Sequence, residues 1–213
     1  MVHRGRFITF EGGEGAGKST QVARLVERLR ALGLEALATR EPGGTPNAEA
    51  LRKLLLEGLV EKLSPASEAM IFSAARIDHL DKLIRPALAR GAYVICDRFA
   101  DSTRAYQGGA LSQNFIDQLE KLAVDDAVPD LTFILDLPAE EGIARADARR
   151  GTGKADRFES EAIDFHRGLR HAFLAIADQN LQRCVVIDAS RSVEEIARDI
   201  WTCVESRFLG GKG

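Results

Sequence analysis

The chain has 213 residues, of which 45% are hydrophobic and 29% charged, with a formal net charge of -3. That length and apolar content suit one domain with a sizeable core, and the near-neutral balance argues against a generic nucleic-acid or membrane-surface binder. Three cysteines (Cys96, Cys184 and Cys203) without a C-x-x-C pair argue against a disulfide scaffold or a cysteine-ligated zinc site and point to a reducing, cytoplasmic setting.

Arg6 to Glu11 reads as a buried strand close to the N-terminus, so no secretion signal is expected. Lys18 to Leu32 follows a Gly-rich loop and has helical periodicity at Val22, Leu25, Val26 and Leu29, with a stop at Gly33. Leu34 to Thr39 reads as a second strand, Arg40 to Pro46 as a turn-rich loop, and the next stretch as a helix to about Glu57. Ser64 reads as a cap, with Pro65 in the first turn of a helix that runs to about Ile84. Pro86 should bend or restart that helix before Gly91.

Tyr93 to Cys96 forms a third predicted strand, followed by Asp97-Arg98 and a polar loop containing Tyr106 and Gln107. Ser112 can cap a helix to about Asp126, and Leu131 to Leu137 reads as a fourth strand. Residues 139 to 150 read as an increasingly basic helix that breaks at Gly151. A long helix from about Ser160 to Ala177, a strand from Cys184 to Asp188 and a helix from Ser192 to about Phe208 complete the pattern. No apolar run reaches the roughly 18 residues that a bilayer span needs. Strands alternating with helices imply a parallel sheet covered on both faces, in one domain over residues 1–213.

Gly12-Gly13-Glu14-Gly15-Ala16-Gly17-Lys18-Ser19 satisfies G-x-x-x-x-G-K-[ST], between a predicted strand and a predicted helix. Small residues let backbone N–H groups curl around phosphate oxygens. The helix that opens at Lys18 points its partly positive end at the anion. Lys18 can reach the terminal phosphates of a nucleoside triphosphate, and the Ser19 hydroxyl can bind Mg²⁺. Glu14 is unexpected, because an acid beside a polyphosphate is electrostatically unfavourable. Either it turns to solvent or it meets a second ligand. The loop holds no Arg, so any further cation must come from another segment.

Three further clusters narrow the chemistry. Phe72 and Arg76 are four apart on one helix face, where an aromatic plate and a guanidinium can stack a base and bond its edge. Asp97-Arg98 stands at the carboxyl end of a strand, where open parallel sheets bind ligands. There Arg98 can bridge phosphates, and Asp97 can hold Mg²⁺ through water or orient the loop. Arg149-Arg150 and Arg157 enclose a Gly-rich stretch, giving a basic lid over about residues 149–160. The guanine-reading N-K-x-D of a GTPase is missing, and a small-molecule kinase fits the length better.

At this point the chain resembles the bacterial-type thymidylate (dTMP) kinases over essentially its full length. The residues that carry the resemblance are the 10–20 phosphate loop, Thr-Arg-Glu-Pro-Gly-Gly-Thr at 39–45, Phe-Ser-Ala-Ala-Arg at 72–76, Asp-Arg-Phe at 97–99, Ser-Thr-Arg-Ala-Tyr-Gln-Gly at 102–108 and Pro-Asp-Leu-Thr at 129–132. The resemblance implies a three-layer P-loop fold with a five-stranded parallel sheet, a homodimer, and transfer of the γ-phosphate of Mg·ATP to dTMP. It implies that residues 12–20, Thr20 included, bind ATP. It places Phe72 on the base, Arg76 at its exocyclic oxygen, Thr103 and Gln107 near the base edge, and Tyr106 against the 2′ position. Glu14 then approaches the sugar 3′-hydroxyl. Arg40, Arg52 and Arg98 hold the acceptor phosphate, and Arg150 is the lid arginine that matches best, with Arg149 and Arg157 as alternates.

Overall fold

A computed structural model describes residues 5–56, 63–151, 158–159 and 161–210. Five strands, β1 (Arg6–Glu11), β2 (Ala36–Arg40), β3 (Tyr93–Asp97), β4 (Leu131–Asp136) and β5 (Cys184–Asp188), form one parallel sheet in the order β2-β3-β1-β4-β5. β1 lies in the middle, with Phe10 beside Asp97 of β3 on one side and Phe133 of β4 on the other. The chain therefore leaves β1 toward both edges. A crevice opens beyond the carboxyl end of β1, the switch point at which such sheets bind ligands.

Nine α-helices cover the sheet among the described residues: α1 (Lys18–Ala31), α2 (Pro46–Leu56), α3 (Pro65–His79), α4 (Arg85–Ala89), α5 (Ala100–Gln107), α6 (Gln113–Val124), α7 (Ala139–Arg150), α8 (Ile163–Gln179) and α9 (Val193–Val204). The alternation within β1 sorts the core. Ile8 and Phe10 pack with Val22, Leu25 and Leu29 of α1 and with Ile196, Ile200 and Trp201 of α9. Phe7 faces the other way, against Leu80, Ile84, Val94 and Phe99. Phe10 is completely buried, and truncating such a side chain to Ala costs about 3–5 kcal/mol.

The expected serine caps all form. Ser64 accepts from the Ser67 amide and Ser112 from the Phe115 amide, while Ser192 and Glu195 close a reciprocal capping box. Two expectations are corrected. The helix expected to run on to Ile84 ends as α3 at His79, and Leu80–Ile84 widen into a π-helical turn. There the Arg85 N–H donates to the Leu80 carbonyl. Pro86 then sits in the first turn of α4, where its missing N–H is tolerated. The polar loop expected around Tyr106 is instead α5, with Thr103 and Gln107 buried on one face.

The first turn of α7 lies directly on the phosphate loop. A Cβ on Gly15 would stand 2.1 Å from the Gly142 carbonyl oxygen, and one on Gly142 would stand 2.5 Å from the Glu14 carbonyl oxygen. Only hydrogen atoms fit between the two backbones.

Candidate active site

The loop between β1 and α1 turns sharply at Gly12, whose φ of 132° lies in the left-handed region that favours glycine. A Cβ there would meet the Leu135 carbonyl at 2.5 Å. Lys18 folds back over the loop, and its Nζ donates to the carbonyls of Gly12 at 3.1 Å and Gly13 at 2.7 Å. Burial and the nearby Arg98 cation lower its pKa to about 8, against the pull of Glu14, Asp97 and Glu11. Ser19 donates from Oγ to Asp97 Oδ2 at 2.5 Å.

Glu14 turns inward. It accepts from Arg98 Nη2 at 2.5 Å and from the Tyr106 hydroxyl at 2.9 Å. Burial opposes its charge, but the Arg98 and Lys18 cations outweigh burial and hold its pKa at about 2. Burial pushes the Tyr106 hydroxyl well above its ordinary pKa, so it stays a neutral donor. The Arg98 guanidinium also lies 5.2 Å from the centre of the Tyr106 ring.

These groups line one cavity of about 230 Å³. Its lining includes the cations Lys18, Arg52, Arg98 and Arg149 with Ser19 and Asp97, a set that suits anions, and also Phe72, Arg76, Thr103, Tyr106, Gln107 and Phe158. Arg76 is buried, with Nε donating to Glu41 at 2.7 Å and Nη2 to the Phe99 carbonyl at 3.0 Å and Thr103 Oγ1 at 3.2 Å. Glu41 in turn meets His79 Nδ1 at 3.0 Å, so the guanidinium is held in one plane. One pocket thus brings together cations that suit phosphates and side chains that suit a planar, hydrogen-bonding ring.

Three comparisons with known proteins bear on this geometry. The family profile described as thymidylate kinase matches residues 10–200.

The chain belongs to the thymidylate kinase family.

A thymidylate kinase of Rhodopseudomonas palustris is 58% identical over 209 residues, 97% of this chain and 91% of the relative. One from Bradyrhizobium diazoefficiens is 52% identical over 208 residues, again 97% and 91%. The crystal structure of thymidylate kinase from Ehrlichia chaffeensis superposes with a TM-score of 0.75 at 35% identity, covering 94% of this chain and 98% of that one. The chain is an enzyme of this family, a phosphotransferase that uses ATP, and its five-stranded parallel sheet is the one the resemblance implied. Among the described residues no helix is long and apolar enough to cross a membrane, and no group of three or more His, Cys, Asp or Glu side chains is placed to hold a metal ion.

Most residues expected at the site meet at the cavity: Glu14, Gly15, Gly17, Lys18, Ser19, Thr20, Arg52, Phe72, Arg76, Asp97, Arg98, Thr103, Tyr106 and Gln107. Gly12, Gly13 and Ala16 belong to the loop without lining the cavity. Two arginines depart from expectation. Arg40 is not among the lining residues and donates instead to both oxygens of Glu49, at 3.0 and 3.1 Å. Arg150 also lies off the cavity, donating to Asp147 at 2.6 Å and Glu159 at 3.2 Å, whereas Arg149 lines it. Arg157 lies outside the described residues.

Sequence reasoning assigned no role to Glu11, Glu41 or Phe158. Phe158 sits beside both aromatic site residues, 5.0 Å between ring centres from Tyr106 and 6.4 Å from Phe72. Glu41 gave a readable sign, an acid inside the 39–45 motif that Arg76 needs as a counter-ion. Glu11 gave a weaker one, an acid at the end of an otherwise apolar strand.

Proposed function

We propose that the cavity binds dTMP with its base between Phe72 and Arg76 and its phosphate toward Arg52 and Arg98, and that ATP lies on the phosphate loop. The enzyme then transfers the γ-phosphate of ATP to dTMP, giving dTDP and ADP. The observation that carries this reading is the single cavity joining Lys18 and Arg98 to Phe72, Arg76 and Thr103.

The acceptor is a phosphate monoester with a second pKa of about 6. At neutral pH its attacking oxygen is already anionic, so no general base is required. The difficulty lies in holding two anions in line while charge spreads over the transferring group. Lys18, Arg52 and Arg98 supply that neutralisation. Glu14, kept ionised, holds Arg98 and the Tyr106 hydroxyl in place and stands where the sugar 3′-hydroxyl of the acceptor arrives. The Tyr106 ring fills space near the 2′ position and favours deoxyribose. Thr103 and Gln107 face the base edge. Arg149 takes the lid-arginine role from Arg150, because Arg149 reaches the cavity and adds to the electrostatic hold on Glu14.

The hard oxygen donors Ser19 and Asp97, in mutual contact at the phosphate end, fit Mg²⁺, which keeps most of its ligands as water and phosphate oxygens. Bound there, the ion would neutralise the polyphosphate. Three free thiols suit the cytoplasm. Met70 and Ile77, exposed seven residues apart on α3, supply an apolar face for a homodimer.

ADP release from Mg·ATP, measured separately with dTMP, dUMP, UMP, CMP, AMP and GMP, tests the reading. A strong preference for dTMP over UMP and the purines is expected. Preference for another monophosphate would remove the roles given to Phe72, Arg76 and Tyr106, and acceptor-independent hydrolysis would remove the transferase reading.

A further inference from the structure

One buried carboxylate beside the cavity takes no part in the chemistry above. Glu11, the last residue of β1, has no exposed surface. Its Oε1 accepts from the Phe99 amide at 2.7 Å and the Ser102 amide at 3.3 Å, and its Oε2 accepts from Ser102 Oγ at 2.6 Å. The Phe99 amide opens the first turn of α5, and the Ser102 amide in that turn also donates to the Phe99 carbonyl at 3.1 Å, so Phe99 is the amide that depends on Glu11. The first amides of a helix lack intrahelical acceptors, and the residue at this cap, Phe99, supplies no side-chain acceptor. Glu11 supplies one from a different element, through its carboxyl oxygens.

The residue just before this turn is Arg98, whose φ of 68° is rare for a side-chain-bearing residue. Such a conformation persists where its surroundings fix it. Here two adjacent residues of β1 do so. The Arg98 amide donates to the Phe10 carbonyl at 2.8 Å, and the next amide, that of Phe99, donates to Glu11. Beyond the turn, α5 carries Thr103, Tyr106 and Gln107 into the cavity.

We propose that Glu11 is a positioning residue: by capping α5 from β1 it sets Arg98 against the acceptor phosphate and Thr103, Tyr106 and Gln107 against the acceptor's base and sugar. This rests on the acceptor site proposed above. Burial and the Asp101 carboxylate both disfavour the charge of Glu11, so what the carboxyl group supplies here is its acceptor oxygens.

The test compares wild type with Glu11→Ala, Glu11→Gln and Ser102→Ala. Amide hydrogen exchange at Phe99 and Ser102 is read together with steady-state constants for dTMP and ATP and with the melting temperature. In Glu11→Ala the Phe99 amide should exchange faster, and kcat/KM for dTMP should fall at least about tenfold, or about 1.4 kcal/mol, while KM for ATP changes by less than about twofold. Glu11→Gln keeps one acceptor oxygen and should recover the amide protection and most of the dTMP constant. Ser102→Ala removes the Oε2 contact and the long 3.4 Å contact from Arg98 Nη1, keeps the Oε1 contacts, and should show a smaller loss of the same kind, which serves if Glu11→Ala does not fold. Equal losses for both substrates, or a lowered melting temperature with the dTMP constants intact, would overturn the proposal. Should the wild type prefer another monophosphate, the base assignment falls and the same comparison is made with that acceptor.

Discussion

Arg98 donates to Glu14 at 2.5 Å, and each is about five-sixths buried, at 16% and 17% exposure. The pair makes an acid inside a phosphate loop understandable, because Glu14 orders an arginine, which the loop itself lacks. Arg98→Ala should lower kcat/KM for dTMP by about 10–150-fold, the worth of a hydrogen bond to a charged group at 1.5–3 kcal/mol. Steady-state kinetics with dTMP varied at saturating ATP checks this. An unchanged constant would remove Arg98 from the acceptor site.

Phe72 should contribute mainly to acceptor binding. Stacking on a base is worth about 1–3 kcal/mol, so Phe72→Ala should weaken dTMP binding by about 5–150-fold. Calorimetric titration of dTMP into the variant measures this. Binding within a factor of about two of wild type would place the base elsewhere.

Arg149 and Arg150 are neighbours with opposite placements, and the pair of alanine variants separates them. A catalytic arginine of this kind supplies about 10³–10⁵ in rate. Arg149→Ala should therefore lose turnover on that scale with little change in ATP binding, while Arg150→Ala should lose much less. The reverse order, in single-turnover assays, would mean that the lid rearranges to bring Arg150 inward.

Lys18 ties activity to pH. Burial lowers its pKa to about 8 in the free enzyme, and kcat/KM reports free-enzyme groups. The protonated form is the one that binds phosphate. Thus kcat/KM for ATP should fall as pH rises through about 8, while kcat holds to higher pH because bound phosphates stabilise the ammonium. Lys18→Arg, which stays charged, should lose that alkaline limb whatever its absolute rate.

Glu11 ties stability to pH in the opposite sense from an ordinary paired acid. Burial and the Asp101 charge raise its pKa from 4.5 to about 8, against Ser102, Arg98 and the Phe99 amide. Lys18 and Tyr106 also feel its charge, as does the buried Cys96 thiol. The folded protein keeps this proton where the unfolded chain has lost it. Its contribution to stability is present below about 4.5 and is lost as pH rises to about 8. Urea unfolding at several pH values should show a shallower decline across that window in Glu11→Gln than in wild type.

What the sequence disclosed, and what it withheld, follows from the range of each interaction. The phosphate loop, the three serine caps and the five strands rest on contacts a few residues apart or on short apolar runs, continuously buried in β1, β3 and β4, and these can be read directly. α5 could not, because its eight residues are mostly polar and include no large aliphatic side chain, and their cap comes from Glu11, 88 residues before Phe99. The placement of Arg40 and Arg150 off the cavity was not legible for a related reason: their type suits phosphate, but they pair with Glu49 and with Asp147 and Glu159, and nothing in the motifs signals those partners.

The contact between Gly142 and the phosphate loop has a consequence for how the sequence can vary. Gly142 lies in a helix and carries no chemistry, so it would pass for a neutral position at which alanine improves helix propensity. With the Glu14 carbonyl 2.5 Å from where a methyl would stand, that substitution pushes on the nucleotide-binding backbone itself. The tolerance of position 142 is therefore set by catalysis rather than by the helix. A change there also cannot be rescued at Gly15, whose own methyl would be driven into the same helix.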